Sequence, residues 1–366
     1  MLSQTALLLG LFFAGFPQES GSPPEARPLQ RPDEIYAEEI TVALMPVTIR
    51  VVDGRGRPIL DLKPEDFRVR VGKREIPVVA VDWMTSSQSA PVASPPASEG
   101  EPAPAGPPSA PAVPEMPEEE ASRLPGKLVV FFVQADLNPT RISGQMRLRP
   151  YTEEFLETLE PGDQMAVISF DSHLHLRQDF TRDREAVFAA IDRGMLWGAD
   201  DPGPGGGEVR LTDSFDFQAA FDAASAERGL EVMANALEAL PGEKVVVYLG
   251  WGLGRFSSFG VHMTPAFAPA VRALRRSNSS VFVLDVTSAD HHSLQAGLEA
   301  VAHATGGTYA KTNILPGLAT DFLAQAISGH YVLTIDPASV PEKGGALTIE
   351  LRGRKGSVLH RPITFR

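Results

Sequence analysis

The sequence predicts an α/β doubly wound fold, a mostly parallel sheet with helices on both faces, joined to a small β module formed by the N- and C-terminal strands. Three observations carry this. Short apolar runs, Leu128 to Val133 (LVVFFV), Met165 to Phe170, Lys244 to Leu249 (KVVVYL) and Ser280 to Asp285 (SVFVLD), have the length and composition of strands buried on both faces. Stretches of helical periodicity separate them, and strand-helix-strand alternation repeated this often builds a doubly wound sheet. From Ile40 to Trp83, and again after His330, apolar and polar residues alternate instead, as in strands with one buried face.

Taken in chain order, Ala6 to Phe16 is an uncharged apolar run followed by small and polar residues through Ser22, so 1–22 reads as a signal peptide, although no Lys or Arg precedes Arg27. The run is too short to span a bilayer. Residues 35–84 form an N-terminal β module in which Val47, Ile49 and Val51, then Phe67, Val69 and Val71, occupy the alternating apolar positions. Asp53-Gly54 supplies a turn, and Lys63-Pro64-Glu65-Asp66 one helical turn. So small a unit needs a neighbour to complete its core. Residues 85–125 contain eleven prolines, no aromatic residue and a single leucine, Leu124, the composition of a disordered Pro/Ala/Ser-rich linker.

Residues 126–329 hold the alternating unit. Its helices are expected at Tyr151 to Leu159, Arg184 to Arg193, Phe217 to Leu240, Pro265 to Arg276, Leu294 to Ala304 and Leu318 to Ser328. Thr308 to Lys311 reads as a short strand, and His173 to Arg177 (HLHLR) as an exposed edge strand. Residues 330–366 revert to strands at His330 to Ile335, Ala346 to Leu351 and Val358 to Phe365, expected to pack with the β module.

Composition narrows the function. A net charge of -13, from 46 acidic against 33 basic residues, disfavours nucleic-acid binding, and zero cysteines exclude disulfides, thiolate metal sites and cysteine nucleophiles. The Gly203 to Gly207 stretch lacks the Gly-Lys-Ser/Thr ending of a phosphate loop and reads as a flexible loop. Asp290-His291-His292 reads as a solvated turn, because adjacent histidines do not share a face. No Gly-x-Ser-x-Gly elbow occurs, so the expectation is a protein that is not an enzyme.

The segment VTIRVVDGRGRPILDLKPEDFRV (Val47 to Val69) resembles the β module that precedes a von Willebrand factor type A domain in exported bacterial proteins called VWFA-related, with Asp53, Gly56, Pro58, Leu62, Asp66 and Phe67 at the pattern positions. Leu128 to Thr140, followed by Tyr151 to Val187 with Pro161-Gly162-Asp163, is similar to the first third of a type A domain. That resemblance implies a periplasmic or secreted binding protein. It also implies a place to look, outside the carboxyl ends of the first and fourth parallel strands, where many type A domains hold a divalent cation that accepts a partner's carboxylate.

This chain departs from that ligand pattern. Asp136-x-Asn138-x-Thr140 offers one carboxylate and two neutral oxygens, Gln134 takes the first carboxylate's place in the other register, and Thr212 is the second-loop candidate beside Asp213. Gly250-Trp251-Gly252-Leu253-Gly254 stands where the family has Thr-Asp-Gly. The expectation is a degenerate site, with Mg²⁺ bound weakly if at all. Trp251, Phe256 and Phe259 on this glycine-rich loop read either as anchors for a protein partner or as a cover over the vacated position. The expected function is non-catalytic protein binding or scaffolding. Cation-dependent adhesion through Asp136, Asn138 and Thr140, and an enzyme or enzyme subunit, stay open as alternatives.

Overall fold

The structure, a computed structural model, describes residues 44–85, 126–196, 203, 205–258, 260–289 and 291–365. The expected signal peptide and nearly all of the expected linker lie outside these residues. The central sheet has six strands, β5 (Leu128–Gln134), β6 (Gln164–Phe170), β7 (Leu174–Thr181), β8 (Lys244–Gly250), β11 (Ser279–Asp285) and β12 (Tyr309–Lys311). Their order is β12-β11-β8-β5-β6-β7, all parallel except the antiparallel edge strand β7. The chain therefore starts the sheet at β5, builds outward to β7, then returns to β8 and builds the other way. Strand order reverses between β5 and β8.

Period-two burial explains how one apolar run serves two cores. In β5, Leu128, Val130 and Phe132 pack on one face and Val129, Phe131 and Val133 on the other. Helices α4 (Ala226–Glu238), α5 (Phe267–Arg276) and α6 (Gln295–Thr305) cover the first face through residues such as Leu230, Leu274 and Leu298. Helices α1 (Pro139–Glu157), α2 (Arg184–Met195) and α7 (Pro316–Ala326) cover the second through Leu148, Ile191 and Leu323. Helix α1 begins a dozen residues before the expected Tyr151, because the Asn138 side chain accepts from Thr140 N and Pro139 sits at the first helical position, where its missing N–H costs nothing. The stretch expected as one helix from Phe217 to Leu240 divides into α3 (Phe217–Phe221) and α4, since Ser225 turns extended and its hydroxyl accepts from Arg228 N.

Strand β7 is fully buried and not an exposed edge. Its polar residues mislead because they are satisfied internally: Arg177 Nε donates to Ser169 Oγ at 2.7 Å, and Asp179 accepts from Leu211 N at 2.7 Å and Thr212 Oγ1 at 2.7 Å. Two glycines of the stretch expected as a flexible loop lie along the same strand, Gly203 N donating to Arg177 O at 3.1 Å and Gly207 N to Phe180 O at 3.0 Å.

The N- and C-terminal strands form two four-stranded antiparallel sheets. One has the order β15 (Ser357–His360), β1 (Met45–Val52), β13 (Gly329–Ile335), β4 (Val78–Thr85); the other β16 (Thr364–Phe365), β14 (Gly345–Leu351), β2 (Phe67–Val71), β3 (Arg74–Ile76). Their inward faces share one core that includes Val47, Ile49, Phe67, Val69, Tyr331, Leu333 and Ile349. Strand β13 lies between β1 and β4, so the C-terminal segment sits inside the N-terminal sheet. The short hairpin β9 (Arg255–Ser257) and β10 (Gly260–His262) completes the strands.

A buried charge cluster ties these antiparallel sheets to the parallel one. Glu243, just before β8, accepts an ion pair from Arg50 at 2.9 Å and lies 3.6 Å from His330 Nδ1 and 3.8 Å from Arg361 Nη2. Arg50 is 5% exposed and stacks over the Phe282 ring. Burial raises the Glu243 pKa, but attraction to Arg50, His330 and Arg361 and the Ser280 hydrogen bond outweigh it and hold the carboxyl below its ordinary value. Burial pushes His330 down more than Glu243 pushes it up. Both shifts mean that the unfolded chain binds more protons, so stability falls on acidification, first as the pH drops below the ordinary histidine value and again through the folded carboxylate's titration. Replacing Glu243→Gln leaves Arg50 buried without its counter-charge and is expected to cost roughly 3 kcal/mol in denaturant unfolding at neutral pH, while removing the lower-pH part of this dependence. An unchanged pH profile in the variant would contradict the assignment.

Candidate functional site

The site lies where strand order reverses, at the carboxyl ends of β5 and β8, the place where an open α/β sheet leaves a crevice. Gln134, the last residue of β5, is buried there, and its carboxamide binds the loop that follows β8. Its Nε2 donates to Gly252 O at 2.9 Å, and its Oε1 accepts from Trp251 N at 3.0 Å and Gly252 N at 3.1 Å. Gly250 permits this approach, because a Cβ there would stand 2.2 Å from the Tyr248 ring and 2.8 Å from Gln134 Oε1. The Gln134 carbonyl in turn accepts from Gln145 Nε2 of α1 at 2.9 Å. Gly144 beside it brings α1 against the chain leaving β11, where a Cβ would meet Val286 O at 1.7 Å.

Asp136, Asn138 and Thr140 do come together, but on one another. Asp136 Oδ1 accepts from Asn138 N at 2.8 Å, and its other oxygen forms an ion pair with Arg141. Asn138 Oδ1 accepts from Thr140 N at 3.0 Å and Thr140 Oγ1 at 2.7 Å. Thr212 stands elsewhere. It donates to Asp179, two residues before Thr181, which pairs with Met165 near the start of β6 at the opposite end of the strand. Sequence spacing could not reveal this, since the 203–215 segment passes along β7 instead of returning to the carboxyl edge.

Trp251 is half-buried against the core face that holds α1, with its indole N–H buried and without a hydrogen-bond partner among the described residues. The Arg141 guanidinium lies 3.4 Å from the centre of its ring system. One cation thus contacts Asp136 and an aromatic face together, a favourable pairing of charge with both carboxylate and ring quadrupole. Phe256 on β9 is 68% exposed, and Phe259 falls outside the described residues. A cavity of ≈ 500 Å³ opens here, lined by Thr140, Arg141, Trp251, Phe256, Thr287 and Leu294 among others.

Two contributors escaped sequence reasoning. Arg141 is one basic residue in the first turn of a helix, and only its fifth-residue offset from Asp136 hinted at the pair. Asp285, the last residue of β11, is fully buried and collects the loop beyond it: it accepts from Thr287 N at 3.0 Å, Thr287 Oγ1 at 2.8 Å and Tyr309 OH at 2.6 Å, and pairs with His292 Nε2 at 2.7 Å. Burial, then this hydrogen bond, pushes the Tyr309 phenol far above its ordinary value. His292 is therefore drawn inward out of the expected solvated turn. An acid closing an otherwise apolar strand was the signal that could have found Asp285.

No family model and no curated protein matches the chain. Among solved structures it is similar to a von Willebrand factor type A protein from Catenulispora acidiphila, at 13% identity and TM-score 0.39 over 66% of each chain. It is also similar to the PilB minor pilin from Streptococcus sanguinis, at 13% identity and TM-score 0.36 over 55% of this chain and 61% of that one. A third is the conserved hypothetical protein BatB from Bacteroides thetaiotaomicron, at 12% identity and TM-score 0.36 over 56% of this chain and 98% of that one. The chain spans less than two thirds of the first two. Its own strand order, with five parallel strands and one antiparallel edge, is that of a doubly wound α/β sheet. No helix among the described residues is long and apolar enough to cross a membrane.

Gln134→Ala would leave the Trp251 and Gly252 amides and the Gly252 carbonyl without their partner in a buried place. The expected result is a loss of about 2–3 kcal/mol in denaturant unfolding. A loss below about 0.5 kcal/mol, the level of an ordinary surface substitution, would mean the carboxamide is not what holds the loop.

Proposed function

We propose that this chain is an exported, non-catalytic binding or scaffold protein that grips a protein partner at the carboxyl end of its type A-like sheet, by aromatic and cation–π contact instead of through a metal ion. Residues 1–22 act as its signal peptide, 35–84 and 330–366 as its β module, 85–125 as a linker and 126–329 as the binding unit. Its place is periplasmic or secreted. The observation that carries the reading is Arg141 stacked on Trp251 and paired with Asp136 at the mouth of the cavity. The carboxylate that the resemblance would give to Mg²⁺ already holds a guanidinium, and Asn138 and Thr140 are engaged in capping α1. A cation here would have to displace Arg141 and would find only one acid. Trp251, with Phe256 lining the same cavity, supplies the aromatic surface that interface anchors need, and Phe259 of the same loop is proposed to join them.

The test uses the mature chain and the partner it retains from periplasmic or secreted extract. Trp251→Ala is expected to weaken that binding at least tenfold, while Asp136→Ala and EDTA leave it within threefold. Abolition by EDTA would replace this reading with cation-dependent adhesion. If Trp251→Ala lowers the melting temperature and leaves affinity intact, Trp251 is a structural plug and the anchor lies elsewhere.

A further inference from the structure

We propose that Asp171, His173 and His175 form a binding site for a divalent transition metal of the zinc class, separate from the crevice described above. Asp171 follows the last residue of β6, and His173 and His175 flank the start of β7, where residues two apart fall on one face. One ligand atom from each of the three lies within 4.8 Å of the others. Asp171 Oδ2 is 3.1 Å from His175 Nε2, and Oδ1 is 3.8 Å from His173 Nδ1. Tetrahedral zinc with bonds of about 2.0–2.1 Å spaces its ligand atoms about 3.3 Å apart, so these side chains need only small rotations to enclose an ion.

The surroundings favour a built site over a chance meeting of polar groups. Asp171 and His175 side chains are only 7% and 8% exposed, whereas His173 is 29% exposed. Two ligands are thus anchored in the protein, and the third opens the site to solvent, the three-ligand arrangement that leaves a coordination position for water or a donor from outside. The Phe221 ring packs 5.2 Å from the His173 ring and limits its freedom. Ser172 Oγ donates to Asp171 Oδ1 at 3.0 Å and orients that carboxylate, while its 3.0 Å contact with His173 Nδ1 is one that a metal at this nitrogen would replace. Arg177 Nη2 stands 3.9 Å from Asp171 Oδ2 and shares that carboxylate with any bound ion. Its positive charge lowers affinity to the micromolar range, below that of a closed structural zinc site. Two imidazoles and one carboxylate suit zinc, nickel or copper(II) and disfavour magnesium, which takes oxygen ligands in octahedral geometry.

The experiment is calorimetric titration of the full mature chain with ZnCl₂, beside His173→Ala, His175→Ala and a control, His291→Ala, in the exposed turn after β11. One equivalent of Zn²⁺ is expected to bind at micromolar concentration to the native chain and the control, and at least tenfold more weakly to His173→Ala. His173 is the decisive position because it is the least buried of the three and its loss spares the core; unchanged far-ultraviolet dichroism checks this. Co²⁺ provides an independent readout: the loaded chain should show the intense visible absorption of a four-coordinate ion, lost in both His variants of the site. The proposal is overturned if native chain binds no Zn²⁺ below millimolar concentration, if His173→Ala binds as tightly as native, or if Co²⁺ gives only the weak spectrum of a six-coordinate ion. Because the titration involves no partner protein, its outcome is independent of the crevice reading above.

Discussion

Three hydrogen bonds from the Gln134 carboxamide tie the loop after β8 to the end of β5, and the character of the whole carboxyl edge depends on them. Where strand order reverses, adjacent strands send their chains in opposite directions and leave a gap that something must fill. A carboxylate at this position could accept from the two amides, but it has no proton for the Gly252 carbonyl. A carboxamide satisfies all three groups. Gln134 therefore closes the gap with protein, and the positive charge at its mouth comes from Arg141, held between Asp136 and Trp251. The same choice of residue that weakens the case for a cation there builds an aromatic and cationic surface.

The platform stays in place because the two sheet systems are joined through one buried acid. Glu243 immediately precedes β8, the strand that ends at the Trp251 loop, and it gathers Arg50 from β1, His330 from β13 and Arg361 from the C-terminal segment. An uncompensated carboxylate would be costly in that place, and the two guanidinium groups, with the His330 imidazole beside them, offset the burial. The position of β13 between β1 and β4 adds a topological constraint: the C-terminal segment must return before the N-terminal sheet is complete.

The architecture was legible in the sequence because its signals are strong. Four apolar runs of strand length have no other reading once helices separate them, and alternation at both ends marks sheets with one wet face. The failures have a common cause. HLHLR and Asp290-His291-His292 look solvated because they are polar, yet His175 and His292 turn inward to acids, Asp171 and Asp285, that lie four and seven residues away in sequence. The helix that periodicity carries through Phe217 to Leu240 stops at Phe221 and restarts after Ser225, whose side chain caps the new N-terminus. Of the candidate site, the i, i+2, i+4 spacing of Asp136, Asn138 and Thr140 is visible in the sequence, but their mutual bonding, the role of Gln134 and the approach of Arg141 need three dimensions. Thr212 fell at the wrong end of the strand because loop direction leaves no mark on spacing.

That the reversal point is closed by Gln134 is most directly measured by amide hydrogen exchange. In the native chain the amides of Trp251 and Gly252 should exchange only through global unfolding, with protection matching that of the β8 amides, and addition of Mg²⁺ should not alter their rates. If these two amides exchange as fast as those of the exposed turn at 291–293, or become protected only when Mg²⁺ is present, the gap is open in solution and the metal-independent account is wrong.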